Sequence, residues 1–328
     1  MAGISKAIVF GGAGFIGSHL LARLAQDGRY DRLYSVDIAA PRFEVPGVHY
    51  LTHDLRQPIP AELCGAGPAD IFNFAAVHTT PGHEDWEYYW TNLHGATHVC
   101  RFASETGAEN IVFTSSISVY GPCEQQKDED SQLEPNSAYG RSKLLAENVH
   151  RLWQAEAAER RRLTVVRPAV IYGQHERGNF TRLARLLAKG RFIYPGRRDT
   201  IKACGYVEDL ISSMLFMRQR NSAVVTYNFA YPDRYTTEQI CAAFCAVAGY
   251  KMPRLVAPSW FMMLGAFGFE ILNALGYRNT VNRPRIAKLQ NSTNIMPRRL
   301  IEAGFPYGFD LKSSLQNWRG KSTATDFD

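Results

Sequence analysis

A chain of 328 residues, 45% hydrophobic and 21% charged, is long enough to bury a full core and ordinary enough in composition to be a soluble globular protein. Its formal net charge of +6 is mild, and its 37 Lys and Arg are scattered rather than interleaved with aromatics, which argues against a nucleic-acid surface. Six cysteines (64, 100, 123, 204, 241, 245) form no C-x-x-C pair and have no His at ligand spacing, which suits reduced thiols in a cytoplasmic protein and no metal.

In chain order, residues 1–6 lead straight into an apolar run, with no secretory leader expected. Short apolar runs predict strands at 7–10, 32–36, 48–51, 70–73, 111–114 and 164–167. Amphipathic spacing predicts helices over 17–27, 90–106 and 139–158. Apolar strands alternating with helices imply a parallel sheet covered on both faces. Arg160–Arg162 would close the third helix, where cations suit the dipole. Beyond Arg167-Pro168 aromatics, prolines and arginines mix, with helices expected at 180–189, 207–218, 237–248 and 297–303. A basic zone over 182–198 would favour an anionic substrate. The stretch 258–276 is apolar but broken by Glu270, Asn273 and glycines, so a packed helix or lid is expected and no firm membrane association. The expected architecture is α/β: a Rossmann-type doubly wound parallel sheet over 1–173, with 203–230 returning to it. A smaller, mixed C-terminal substrate lobe comes from 174–202 and 231–320, and 321–328 reads as a mobile tail.

Two motifs carry chemistry. Gly12, Gly14 and Gly17 satisfy G-x-G-x-x-G, and Gly11, Gly14 and Gly17 the related G-x-x-G-x-x-G, between the first strand and first helix. Glycines there let the backbone approach a pyrophosphate whose charge rests on the helix N-terminus, beside Phe15 and Ile16. Asp37, 20 residues past Gly17, is placed to grip both ribose hydroxyls and to repel a 2′-phosphate, which favours NAD. Further on, Tyr139 and Lys143 lie four apart on one helical face, as an acid/base tyrosine and the cation expected to lower its pKa require. The hydroxyls Thr114, Ser115 and Ser116, where a buried strand ends, make a wall for such a site.

With these residues in this order, the chain resembles an extended short-chain dehydrogenase/reductase, and more narrowly a nucleotide-sugar epimerase/dehydratase. The resemblance covers nearly the whole chain through Gly11–Gly17, Asp54-Leu55, Asn73–Ala76, Asn92, Ser115-Ser116, Tyr139–Lys143, Arg167-Pro168 and Tyr206–Asp209. It implies that Asp54 and Leu55 line the adenine, that Phe74, Ala75 and Ala76 line the cofactor, and that Asn92 supports a proton relay. It implies that Ser116 hydrogen-bonds the reacting hydroxyl. Thr79, Asn179, Lys202 and Arg283 are the implied substrate contacts, Lys202 standing where relatives often carry arginine. It also implies a homodimer through the helices 90–106 and 139–158, from Leu144, Leu145, Val149, Leu152 and Trp153. Dehydrating relatives carry an acid just after the catalytic hydroxyl, where this chain has Ile117 and Ser118. Neither can donate a proton with a useful pKa, which points to a 4-epimerase of UDP-sugars, UDP-N-acetylhexosamines included, serving polysaccharide biosynthesis. A keto-sugar reductase or hydroxysteroid-type dehydrogenase, and a non-catalytic NAD-binding protein, are the alternatives.

Overall fold

The computed structural model describes residues 5–328 apart from 66, 68, 80, 81, 261 and 263–288. Seven parallel strands form the central sheet: β1 (Lys6–Phe10), β2 (Arg32–Asp37), β3 (Val48–Thr52), β4 (Asp70–Asn73), β5 (Asn110–Thr114), β7 (Arg162–Pro168) and β11 (Val224–Phe229). Their spatial order is β3-β2-β1-β4-β5-β7-β11, so the winding reverses between β1 and β4. In open α/β sheets the crevice at that reversal, outside the carboxyl ends of the strands, is where ligands bind. Side-chain alternation along β1 divides the core. Ile8 and Phe10 join Val99 and Phe102 of α3 (His94–Thr106) with Ala146 and Trp153 of α4 (Ala138–Ala155). Ala7 and Val9 join Leu20 and Leu24 of α1 (Phe15–Asp27) with Leu210 and Met214 of α6 (Val207–Met217) on the other face.

The second helical pattern begins earlier than expected, as a short α2 (Asp85–Tyr88) that passes through a π-turn, Tyr89–Leu93, into α3. A π-turn inserts an extra residue per turn and recurs at functional sites. Helix α4 starts where Ser137 Oγ accepts the Gly140 N–H at 3.1 Å. It stops at Ala155, and Arg162 donates to the carbonyls of Ala158 and Glu159 just beyond it.

The remaining segments make three small parallel pairs: β8 (Val170–Tyr172) with β10 (Cys204–Tyr206), β9 (Tyr194–Pro195) with β12 (Val256–Ala257), and β6 (Cys123–Lys127) with β13 (Thr293–Ile295). Helices α5 (Asn179–Ala188), α7 (Thr237–Ala248), α8 (Arg298–Glu302) and α9 (Leu311–Lys321) complete the chain. Tyr172, Phe180, Tyr206, Phe244 and Trp318 form an aromatic core among these elements. The C-terminal tail differs from the mobile segment expected. Phe327 is 2% exposed against Phe244 and Trp318, and the Asp328 carboxylate accepts the N–H groups of Thr323 and Ala324. One aromatic ring with a cavity waiting for it outweighs the polar character of its neighbours.

All six cysteines are free thiols, and no group of His, Cys, Asp and Glu among the described residues could hold a metal. No helix among the described residues is long and apolar enough to cross a membrane. Most of the apolar stretch 258–276, and Arg283, lie outside the described residues.

Candidate active site

The glycine loop is shaped by contact with the next strand over. Gly11 has φ +80°, and a Cβ there would meet Ala75 N at 2.5 Å; one at Gly17 would meet Gly11 O at 2.3 Å. Gly11 and Gly17 are therefore required by the fold itself. Gly14 is different: φ is −70°, and an added Cβ would touch only Gly11 O at 3.1 Å. As N-cap of α1 it brings no side chain to the first-turn N–H groups, including those of Phe15 and Ile16. The bare helix end suits a pyrophosphate, which that Cβ would crowd. The Asp37 carboxylate accepts Ala13 N and Ala39 N, each at 3.1 Å, and so pins the glycine loop to the end of β2. These residues fit a dinucleotide, with Phe74, Ala75 and Ala76 half-buried at the end of β4 across the crevice. Asp54 is gripped by the Arg56 guanidinium at 2.7–3.0 Å, which holds its carboxyl below the usual range; Leu55 beside it is buried. Arg56 was not foreseen, although its place two residues after Asp54 allows the grip.

Asn92 sits in the π-turn, 3% exposed. Its Oδ1 accepts Val77 N at 2.8 Å, and its Nδ2 donates to Val77 O and to Ser142 Oγ. Ser142 Oγ in turn donates to the carbonyl of Tyr139, so Asn92 ties the Val77 loop to α4. At the sheet end, Ser116 Oγ accepts Ser118 N at 3.1 Å and caps the turn Ile117–Tyr120. Gly140 presses onto this turn, since a Cβ there would lie 2.5 Å from Ser118 O. The glycine after Tyr139 thus sets how closely α4 approaches Ser116.

Burial pushes the Tyr139 phenol above its ordinary value, and the nearby Ser116 hydroxyl, which favours the ionised form, offsets this only in part. The expectation that Lys143 would depress this pKa is not met in the chain alone. Lys143 is itself 2% exposed, and burial lowers its ammonium from 10.5 to about 7, with Glu147 opposing. Its Nζ lies 4.5 Å from the centre of the Phe113 ring. The same ring stacks on His150 at 4.1 Å. Burial lowers His150 to about 4, so it is neutral: Nδ1–H donates to Ala146 O, and Nε2 faces Asn73 Nδ2 at 3.2 Å.

Glu147, one turn past Lys143, is clamped by both arms of Arg167 on β7 at 2.7 and 2.8 Å. Arg167 also donates to Tyr120 Oη, which donates to Asn228 Oδ1 on β11. Sequence reasoning missed Glu147 and His150. Their spacing of four and seven from Lys143 was the available signal.

The expected substrate residues are dispersed. Thr79 is exposed, and its carbonyl accepts Tyr88 Oη at 2.5 Å; the Tyr88 ring lies 6.2 Å from that of Tyr139. Asn179 is exposed at the start of α5, whose Thr181 N–H is already taken by the buried Glu176 carboxylate. Lys202 donates to Asn291 O at 2.6 Å. Ile117 is buried among Val119, Tyr120 and Ile295, so position 117 brings no acid beside Ser116.

Residues 7–230 match the family described as NAD dependent epimerase/dehydratase, and the chain belongs to that family; its cofactor is NAD. It is 28% identical over 310 residues to the N-acetyl-alpha-D-glucosaminyl-diphospho-ditrans,octacis-undecaprenol 4-epimerase of Escherichia coli O157:H7, covering 94% of this chain and 92% of that one. It is 31% identical over 301 residues to UDP-glucose 4-epimerase GEPI42 of Cyamopsis tetragonoloba, covering 79% and 84%. The structure of the Thermus thermophilus UDP-glucose 4-epimerase in complex with NAD aligns with a TM-score of 0.74 at 20% identity. That alignment covers 97% of this chain and 100% of the other, and it supports the Rossmann-type fold.

The glycine geometry separates folding from binding. Gly14→Ala is expected to hold its melting temperature within about 4 °C of wild type while NAD affinity falls roughly tenfold or more. Gly17→Ala is expected to lose both. Thermal melts and NAD titrations decide it, and wild-type NAD affinity in Gly14→Ala would place the pyrophosphate elsewhere.

Lys143 gives a pH signature in the NAD-free protein. The unfolded chain holds the Lys143 proton up to about 10.5 and the folded chain only to about 7, so this group makes stability rise with pH across that window. Lys143→Met removes a penalty of up to about 5 kcal/mol below pH 7. The variant should melt higher than wild type at pH 6, with the gap closing towards pH 10. A gap that does not change with pH would show that Lys143 keeps its ordinary pKa.

Proposed function

We propose that this chain is an NAD-dependent sugar 4-epimerase acting on a UDP-sugar, UDP-N-acetylhexosamines included. One observation carries the reading: Tyr139, on the helix that Gly140 packs against the Ser116 turn and one turn from the buried Lys143, stands at the sheet end with no ionisable acid at 117 or 118. NAD, when bound, would supply the hydride chemistry, as acceptor for the C4 hydrogen with its electron pair and as the source of their return. Tyr139 takes the proton of the C4 hydroxyl, and Ser116 holds the same oxygen as it becomes a carbonyl. The 4-keto sugar turns over and is reduced on its other face, where Tyr139 returns the proton. Lys143, when protonated, supplies positive charge beside the phenol, and Glu147 favours that form against the effect of burial. Loss of the C6 oxygen would need a proton donor that positions 117 and 118 do not offer.

A second carrier has a specific observation in its favour. The Escherichia coli relative, matched over most of both chains, acts on a sugar linked through a diphosphate to undecaprenol. Both carriers present a sugar diphosphate, so the chemistry at Tyr139 is shared and the distinction lies in the lobe. Incubation with UDP-N-acetylglucosamine and with its polyprenyl-diphosphate counterpart, followed by NMR of the released sugar, separates them.

Tyr139→Phe should lower turnover by about 10²–10⁴-fold, the range for a positioned proton-transfer group. With wild type, absorbance at 340 nm should stay flat while the C4 epimer accumulates. A 4-keto-6-deoxy product, or steady net NADH formation, would overturn the epimerase reading.

The homodimer is proposed through α4 and the helix before it. Leu145 and Leu152, two turns apart on one face of α4, are 41% and 67% exposed, and Trp90 is 42% exposed. Trp153, by contrast, is buried in the sheet core, where Val149 packs against it, and Leu144 packs on Val119 and Tyr120. The expected contact is thus narrowed to Leu145 and Leu152. Leu145→Glu with Leu152→Glu should convert a dimer into a monomer by light scattering. A monomeric wild type at micromolar concentration would refute it.

A further inference from the structure

We propose that the outer edge of the substrate lobe, where α5 and the β9–β12 pair meet, docks on an anionic membrane surface. Over 177–198 the chain carries seven Lys and Arg and no Asp or Glu, and 239–260 likewise holds no acid. Arg197 and Arg198 of this segment are engaged by Glu124 and Glu238. Arg185, Lys189 and Arg191 are exposed and form no ion pair with a described residue. Beside them stand large apolar side chains. Tyr194 pairs with Val256, and Tyr194 N donates to Leu255 O at 2.9 Å, which brings Ile193 and Leu255 next to each other at the strand starts. Tyr194 turns inward, fully buried, so Ile193 and Leu255, one residue back on each strand, turn outward at 47% and 66% exposure. Trp260, four residues on from Val256, is also 66% exposed.

Apolar and indole side chains beside cations that pair with no described acid, the nearby Glu238 being engaged by Arg198, match the boundary of a bilayer rich in anionic headgroups. A protein partner of acidic character would meet the charges but leave Ile193 and Leu255 facing polar surface. The attachment is peripheral, since no described helix can cross a bilayer. Helix α5, ten residues and so about 15 Å long, runs from Asn179 to this edge. Docking there would hold the Asn179 end of the lobe near headgroup height. The proposal rests on surface residues alone and stands for either sugar carrier.

The full chain is sedimented with vesicles of phosphatidylcholine, with and without one third phosphatidylglycerol, at low and high salt. Binding is expected only to the anionic vesicles, weakened by salt. Arg185→Glu and Lys189→Glu should each lower the partition coefficient at least about fivefold, close to one charge's contribution at such a surface. Ile193→Ser with Leu255→Ser should lower it while leaving NAD binding unchanged, which also shows that these variants fold. Equal sedimentation with neutral vesicles, or none with anionic ones, would overturn the proposal. So would loss of a dimer by light scattering in Ile193→Ser with Leu255→Ser, which would assign the patch to a second copy of the chain.

Discussion

The reactive end of this molecule depends on the buried pair Glu147–Arg167. Lys143 is an ammonium taken almost wholly out of water, and such an ion costs several kcal/mol unless charge and hydrogen bonds compensate. Glu147 supplies the charge from the next turn of the same helix. Being equally buried, it needs its own partner, which Arg167 provides from β7 with two parallel hydrogen bonds. The chain of bonds continues through Tyr120 to Asn228 on β11, where Asn228 N donates to the buried Glu129. Pairs of this kind add little net stability but admit few alternative arrangements. Here the arrangement fixes the rotation of α4: Tyr139, Lys143, Glu147 and His150 recur on one stripe, so locking Glu147 onto Arg167 also turns Tyr139 towards Ser116.

The cofactor side rests on a steric constraint of another kind. The reversal of winding leaves β1 and β4 adjacent, and their ends come so close that Gly11 can carry no side chain against Ala75. That contact lifts the loop over the crevice, and Asp37 holds it there through Ala13 N. Asn92 then couples this side to the other through Val77 and Ser142. The crevice is thus bounded by groups committed to one another before any ligand arrives, which reduces the ordering cost of binding.

What could be read in advance follows the range of the interactions. The parallel sheet was legible because its strands are near-continuous apolar runs, and the glycine loop because its spacing reflects one local turn. Tyr139 and Lys143 were legible because they are four apart on one helix. Arg167 as the partner of Glu147 was not, since the two lie on different elements, 20 residues apart. Nor were the small strand pairs: β9 and β12 are two residues each and over 60 residues apart, with no periodicity to show. The π-turn that presents Asn92 has the same composition as a regular helix. The tail misled because its polar residues outnumber the one aromatic that decides its fate. The lowered pKa of Lys143 was not legible either, because burial is a property of the folded surroundings and no local spacing reports it.

These constraints divide the labour within the chain. The sheet end holds Ser116, Tyr139 and Lys143, and the smaller lobe is fastened to the Ile117–Tyr120 turn by short links. Glu124, a few residues after the Ile117–Tyr120 turn, accepts Ser292 N and Ser292 Oγ at 2.9 Å, and Arg197 reaches the same carboxylate. The basic segment of 177–198 is therefore anchored, through Glu124, to the backbone that carries Ser116. Substitution in the lobe therefore leaves Ser116, Tyr139 and Lys143 in their mutual positions, since these are set by the Glu147–Arg167 pair and by the contact of Gly140 with the Ser116 turn.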